Sequence, residues 1–175
     1  MDFTIKTSRL LLREFLPNDD EALFALNSDP EVLKYTGDKA FISVREAREF
    51  IEGYSAYTQY GYGRWAVTLP DTGLFLGWCG LKYHEQGFTD LGFRLMRDYW
   101  GKGYATEAAQ ASLAHAFGPL GLQEVIGRAA RENQKSVRIL EKLRMRFWKE
   151  APCEGIAGAV YYRISAGEFL KSESG

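Results

Sequence analysis

The 175-residue chain is 46% hydrophobic, 14% aromatic and 26% charged, with a formal net charge of −1. That length suits one domain, residues 1–175, which can bury roughly 70% of its unfolded surface without a metal or disulfide staple. The composition excludes disorder, a fibrous repeat and a disulfide scaffold, and near-neutral charge gives no whole-molecule attraction to nucleic acid.

In chain order, Arg9 to Phe15 reads as a strand. Asn18, with Glu21 three residues on, has the spacing of a capping box and opens a short acidic helix that ends near Asp29-Pro30. A second capping box, Ser43 with Glu46, opens a helix carrying Val44, Ala47, Phe50, Ile51, Tyr54 and Tyr57 at helical spacing. After Gly61-Tyr62-Gly63 the period changes, and Arg64 to Leu69, Leu74 to Tyr83 and Phe88 to Met96 read as strands joined by antiparallel hairpins. An alanine-rich helix follows from about Lys102 to Phe117, closed by Gly118-Pro119. Glu124 to Ala130 is then a strand, Asn133 to Leu143 a helix, and two strands end the chain, near Phe147 and at Ala159 to Ser165. This order predicts a mixed sheet with helices on its faces.

Charge is unevenly placed. Glu14, Asp19, Asp20, Glu21, Asp29 and Glu31 occupy a segment with no Lys or Arg, whereas Arg128 to Lys149 carries eight basic residues against Glu132 and Glu141. These are either solvated faces, or an acidic mouth for a cationic substrate and a basic rim for a phosphorylated ligand. Cys79 and Cys153, with His84 and His115, cannot supply a Cys/His zinc cluster, and no metal is expected. They read as buried thiols in a reducing compartment. Asp2, Lys6, Arg9 and Arg13 interrupt any signal-peptide core, and the longest largely apolar stretch, Gly73 to Leu81, is far short of the roughly 20 residues that span a bilayer. A cytoplasmic protein with no membrane partner is expected.

The segment from Asp90 to Glu107 carries the chemistry. A strand ends, and the turn Tyr99-Trp100-Gly101-Lys102-Gly103-Tyr104 opens a helix, which aims free backbone N–H groups and a positive dipole end at one point. Such a place binds phosphate oxygens, and the glycines allow close approach. Spacing excludes two nucleotide loops. With Lys102 as its lysine, a Walker A loop would need a Gly where Met96 stands and a Ser or Thr where Gly103 stands. A dinucleotide fingerprint would need a Gly at Thr106 and an acid at the end of the next strand, where Glu124 instead stands at the start.

Taken together, Ser8-Arg9-Leu10-Leu11-Leu12-Arg13, Asp29-Pro30-Glu31-Val32, the turn from Tyr99 to Ala108 and the run Glu132-Asn133-Gln134-Lys135-Ser136-Val137-Arg138 through Leu143 resemble the GNAT (GCN5-related) N-acetyltransferases. The likeness is to the subgroup that includes the ribosomal-protein N-terminal acetyltransferases, and it covers nearly the whole chain. It implies an α+β fold whose mostly antiparallel sheet contains two splayed parallel strands, one ending at Met96 and one starting at Glu124. It also implies acetyl-CoA as cosubstrate and an amine as acceptor. The turn Trp100, Gly101, Lys102, Gly103, Tyr104, Ala105 and Thr106 would cradle the pyrophosphate of coenzyme A. Phe93 and Leu95 would pair with the pantetheine arm as an added strand would, and Asn133 would contact it too, or simply cap its helix. Asp98 stands where the family's turn begins with Gln or Arg, so only the glycines carry over.

Acetyl transfer to an amine needs a neutral amine, a polarised thioester carbonyl and a stabilised leaving thiolate. A carboxylate or imidazole can act as base, directly or through water. Asp90 is the first candidate, where the family often places a Glu, and His84 is the second. The family's usual thiol acid, a Tyr seven residues after the Asn, is replaced here by Leu140; the subgroup offers Ser136 instead. Glu107 reads as a structural first-turn carboxylate. Tyr54, Tyr57, Tyr60 and Tyr62 are core residues or line the acceptor pocket. Arg144 stands where the family ends a helix with Gly. A noncatalytic acyl-CoA sensor is the competing reading, and a homodimer is compatible with the sequence.

Overall fold

The computed structural model describes residues 2–175. Its strands are β1 (Thr4–Lys6), β2 (Leu11–Arg13), β3 (Arg64–Thr68), β4 (Phe75–His84), β5 (Phe88–Leu95), β6 (Glu124–Ala130), β7 (Arg146–Cys153) and β8 (Ile156–Ser165). Between them lie α1 (Asp20–Leu26), α2 (Pro30–Leu33), α3 (Val44–Glu52), α4 (Ala56–Tyr60), α5 (Tyr104–Phe117) and α6 (Gln134–Lys142), and α7 (Ala166–Glu173) follows β8. All the strands join one sheet in the order β1-β2-β3-β4-β5-β6-β8-β7. Every neighbouring pair is antiparallel except β5–β6, which α5 connects as a crossover. The expected α+β class and mixed sheet are therefore present.

Alternation along β3 explains why it is buried on both sides. Trp65 and Val67 belong to the core cluster that also holds Leu113, Leu140 and Phe169 of α5, α6 and α7, whereas Ala66 belongs to the one that holds Leu23, Leu26, Ala47 and Ile51 of α1 and α3. The six alanines of α5 give it a thin surface, and Ala108, Ala109 and Ala116 are fully buried against the sheet. Among the described residues, no helix is long and apolar enough to cross a membrane.

Several local expectations change in the structure. Asn18 caps nothing; Asp19 instead accepts the Leu16 N–H at 2.8 Å and both terminal nitrogens of Arg13, ending a 3-10 turn that leads into α1. The Ser43 cap forms, but Glu46 takes the N–H of Ile42, and the helix breaks at Gly53 into α3 and α4. β1 is too short to leave a periodic signal. The sequence reading ended on a strand and missed α7, although the Ser165 and Glu168 capping box that opens it was a local signal. The acidic segment is no mouth for a cation: Asp19, Asp20 and Asp29 are paired with Arg13, Arg48 and Arg97. Both cysteines are free, with Cys79 fully buried near Ser112 and Cys153 only half-buried. Burial pushes the Cys79 thiol up to about 12, against the Ser112 hydrogen bond, so it is inert at neutral pH.

Arg144 is the one non-glycine residue at positive φ (62°) among those described. It is the left-handed C′ residue of α6: its N–H donates to Glu141 at 2.9 Å, and Met145 N–H reaches back to Leu140 at 3.1 Å. Arg144→Gly should therefore stabilise the fold by about 1 kcal/mol and raise Tm by about 2–4 °C, checked by thermal and denaturant unfolding.

Candidate active site

β5 and β6 pair only at Asp90↔Ile126 and Leu91↔Gly127. Past that point β5 stays on β4 through Leu95, and β6 stays on β8 through Ala130. The parallel strands thus part, and from Gly92 onward β5 presents an edge without a strand partner on that side. Phe93 lies half-buried along this edge. Leu95 is buried, and its carbonyl accepts the Trp100 indole N–H at 2.8 Å.

The edge leads into the glycine turn. Gly101 (φ 73°) and Gly103 (φ 80°) are both left-handed, which is why α5 starts at Tyr104 rather than Lys102. Gly103 is the N-cap and offers no side chain, so the first N–H groups of α5, at Tyr104, Ala105 and Thr106, lack a protein cap. The turn is tied from behind by a residue whose role the sequence reading left out. Arg9 donates through Nη1 to the Lys102 carbonyl (2.9 Å) and through Nε to Glu107 (2.7 Å), and its guanidinium lies 4.5 Å from the Tyr104 ring centre. Glu107 also accepts from Thr7 Oγ1 (2.7 Å) and the Arg9 N–H (2.9 Å), so it is structural, as expected. The Ser8-Arg9 motif was the available signal for this brace.

Asp90 lies at the vertex of the parting strands and is 6% exposed. Its Oδ2 accepts from Arg128 Nη2 (2.6 Å) and Nε (3.1 Å) and lies 3.0 Å from His84 Nε2. His84 stacks on Phe88, and Arg128 lies between the rings of Phe88 and Tyr161. Burial works to raise the Asp90 pKa, but the His84 hydrogen bond and the Arg128 charge outweigh it and hold the carboxyl below its ordinary range. Its Oδ1 is buried and has no hydrogen-bond partner. A buried carboxylate oxygen left in this state is costly unless something donates to it.

Asn133 caps α6: its Oδ1 accepts the Ser136 N–H (3.3 Å) and its Nδ2 donates to Ser136 Oγ (3.0 Å). That geometry leaves the Ser136 hydroxyl hydrogen free to donate elsewhere. Leu140 is 1% exposed and belongs to the core. Three of the four tyrosines brace the chain. Tyr54 accepts the Arg64 N–H at 2.8 Å, Tyr57 donates to the Arg64 carbonyl, and Tyr62 bonds Thr89 at 2.7 Å; Tyr60 sits at the surface against Tyr83. Among the described residues, no group of three or more His, Cys, Asp or Glu could hold a metal ion.

An unpartnered strand edge running into an uncapped, glycine-lined helix start suits a long thioester arm that ends in a diphosphate. Proteins so laid out are acyl-CoA-dependent acyltransferases. Residues 9–146 match the family model described as acetyltransferase (GNAT) domain, and the chain belongs to the GNAT acetyltransferases, enzymes that take acetyl-CoA as cosubstrate. The uncharacterized N-acetyltransferase p20 of Bacillus licheniformis is 33% identical over 143 residues, 80% of each chain. The FsC-acetyl coenzyme A-N(2)-transacetylase of Aspergillus fumigatus is 31% identical over 191 residues, 97% of this chain and 79% of its own. The crystal structure of a GNAT-family acetyltransferase from Bacillus anthracis matches with a TM-score of 0.82 at 30% identity, over 95% of this chain and 100% of that one.

Proposed function

We propose that this enzyme transfers the acetyl group of acetyl-CoA to a primary amine, of a protein N-terminus or of a small molecule, by direct attack within a ternary complex in the cytoplasm. The observation that carries this reading is the parting of β5 from β6 immediately beyond Asp90, whose Oδ1 lacks a donor. Likeness to the ribosomal-protein N-terminal acetyltransferases supports the protein α-amine. The residues Trp100 to Thr106 hold the diphosphate of CoA through main-chain N–H groups, with Lys102 at the rim. The backbone of Phe93 and Leu95 and the side chain of Asn133 hold the pantetheine.

Each remaining residue has a defined task. An α-amine, with a pKa near 7.7–8.0, gives up its proton far more readily than a lysine near 10.4. Asp90, kept ionised by Arg128 and His84, accepts at Oδ1 a hydrogen bond from the incoming amine or from the water that relays its proton. His84 donates to Oδ2 and so keeps Oδ1 turned to the acceptor. As the amine nitrogen bonds the carbonyl carbon, N–H groups near Phe93 to Leu95 face the developing oxyanion. The carbon–sulfur bond then breaks, and the free Ser136 O–H donates to the departing thiolate.

Thiol release from acetyl-CoA, measured with a panel of amines and with CoA affinity from calorimetry, tests this. Ser136→Ala should lower kcat about 10-fold with little change in CoA affinity, the loss of one hydrogen bond to a charged group. Unchanged kcat would remove Ser136 from the reaction, and CoA binding without turnover on every amine would leave the sensor.

A further inference from the structure

The face of the sheet that carries Asp90 also carries a second group of charges, used by neither the fold nor the chemistry above. Register places Ala66, Trp78 and Arg94 in one row across β3, β4 and β5, and Arg64, Gly80 and Gly92 in the next. The Trp78 indole lies over Gly92, where an added Cβ would meet ring carbons at 3.1 and 3.3 Å. Two guanidiniums share that one ring: Arg64 at 4.3 Å and Arg94 at 5.3 Å from its centre. Arg94 is satisfied, donating to Asn27 Oδ1 (2.9 Å) and Asp38 Oδ2 (2.7 Å).

Arg64 is not. Its side chain makes no hydrogen bond or ion pair among the described residues, and its Nε is buried without a partner. It lies in electrostatic range of Asp90, but makes no hydrogen bond to it: Asp90 Oδ2 is taken by Arg128 and His84, and its Oδ1 has no partner. Nor is Arg64 loose, because Tyr54 and Tyr57 pin its N–H and its carbonyl. The two arginines line a cavity of about 250 Å³ together with Lys39, and Asp38 is the one carboxylate there. The other walls include Phe15, Leu23 and Phe50, which offer nothing to neutralise the excess positive charge.

An unpaired guanidinium, held over an indole in a half-closed cavity with excess positive charge, is a fork for a planar or tetrahedral anion. Its place matters as well. Gly92, beneath the indole, is the first β5 residue past the last β5–β6 pair, and Asp90 is two residues away on the same face, about 7 Å along a strand. Arg64 stands in the register row of Gly92, two strands over on β3, and its charge acts on Asp90, so one small molecule can present an anion to Arg64 and an amine to Asp90.

We infer that the acceptor is a small amine bearing a carboxylate or phosphate within several ångströms of its nitrogen, and that Arg64 binds that anion and sets the specificity. This rests on the amine-acetyltransferase reading. It narrows that reading away from uncharged polyamines and from peptide N-termini that lack a nearby acid.

The test pairs acceptors with and without the acid, phenylalanine against phenylalaninamide and O-phosphoethanolamine against ethanolamine, with kcat/KM expressed per neutral amine. The native enzyme should prefer the acid of at least one pair by 10-fold or more in kcat/KM, and which pair responds tells carboxylate from phosphate. Arg64→Gln should raise KM for that acid at least 10-fold and shrink the preference to about twofold, and Arg64→Lys should recover part of it. CoA affinity, measured by calorimetry, shows whether each variant is folded. Equal use of both members of each pair, or a preference that survives Arg64→Gln, overturns the inference and leaves the acetyltransferase reading in place. Should no amine turn over, the failure is of that wider reading. Calorimetric titration of the acids and their neutral partners onto the native protein then decides the anion site alone, and equal or absent heats overturn it.

Discussion

Gly103→Asp should weaken CoA binding by about 100-fold or more while lowering stability by only about 1 kcal/mol. Gly103 is the N-cap of α5 with φ at 80°, and no side chain covers the helix start. Of the non-glycine residues, aspartate is one of those that best tolerate a left-handed backbone. Its carboxylate would stand at the start of α5 and repel the diphosphate proposed to bind there. Losing two hydrogen bonds to a charged group, each about 1.5–3 kcal/mol, amounts to about 100-fold in Kd. A general packing defect would lower affinity in step with stability; here the loss of affinity should far exceed the small loss of stability. Calorimetry and thermal unfolding on the same sample check this, and CoA affinity within a few fold of native would place the diphosphate elsewhere.

At Asp90 stability and turnover should fall together. Asp90→Asn leaves Arg128, with its side chain 18% exposed, facing a neutral amide in place of a carboxylate at 2.6 Å. Breaking a buried pair from one side costs about 3–5 kcal/mol, and removing a general base costs about 100-fold or more in kcat. The pH dependence follows from the direction of the shift. Asp90 has a lower pKa folded than unfolded, so folding favours its ionised form. Its stabilisation is complete above the unfolded value near 3.9 and is lost as pH falls through the lower folded value. The stability gap between native and Asp90→Asn should therefore be constant from about pH 5 to 7 and close on acidification below about pH 4. Denaturant midpoints across that range measure it. Turnover of Asp90→Asn within threefold of native would rule out the base role, whatever the stability data show.

His115, half-way along neither site, illustrates how a titratable residue can be purely structural: desolvation lowers its pKa while its ring packs against Phe3 and Trp65. In His84 and Arg128 the same kinds of residue become part of a site because register sets them beside Asp90, from strands β4 and β6. No spacing rule links residues 84, 90 and 128. For the same reason the sequence reading missed the Arg64, Trp78 and Arg94 group and left the acidic segment open as a solvated face or a mouth, because its arginine partners lie in β2, in α3 and in the turn after β5.

What was legible along the chain is what short-range forces specify. A change of period marked β3, β4 and β5, helical spacing marked α3, a glycine turn and an alanine-rich run marked α5, β6 came out residue for residue, and the paired glycines before α5 and the Asn133 cap were visible as local chemistry. These cues operate over a turn of helix or a pair of strand residues, within which backbone sterics and hydrogen bonding decide the conformation. The point where β5 leaves β6, the carboxylate oxygen left without a donor and the arginine left without an acid arise from packing between segments tens of residues apart. Burial and register decide there which charges find partners, and no neighbour in sequence carries that information.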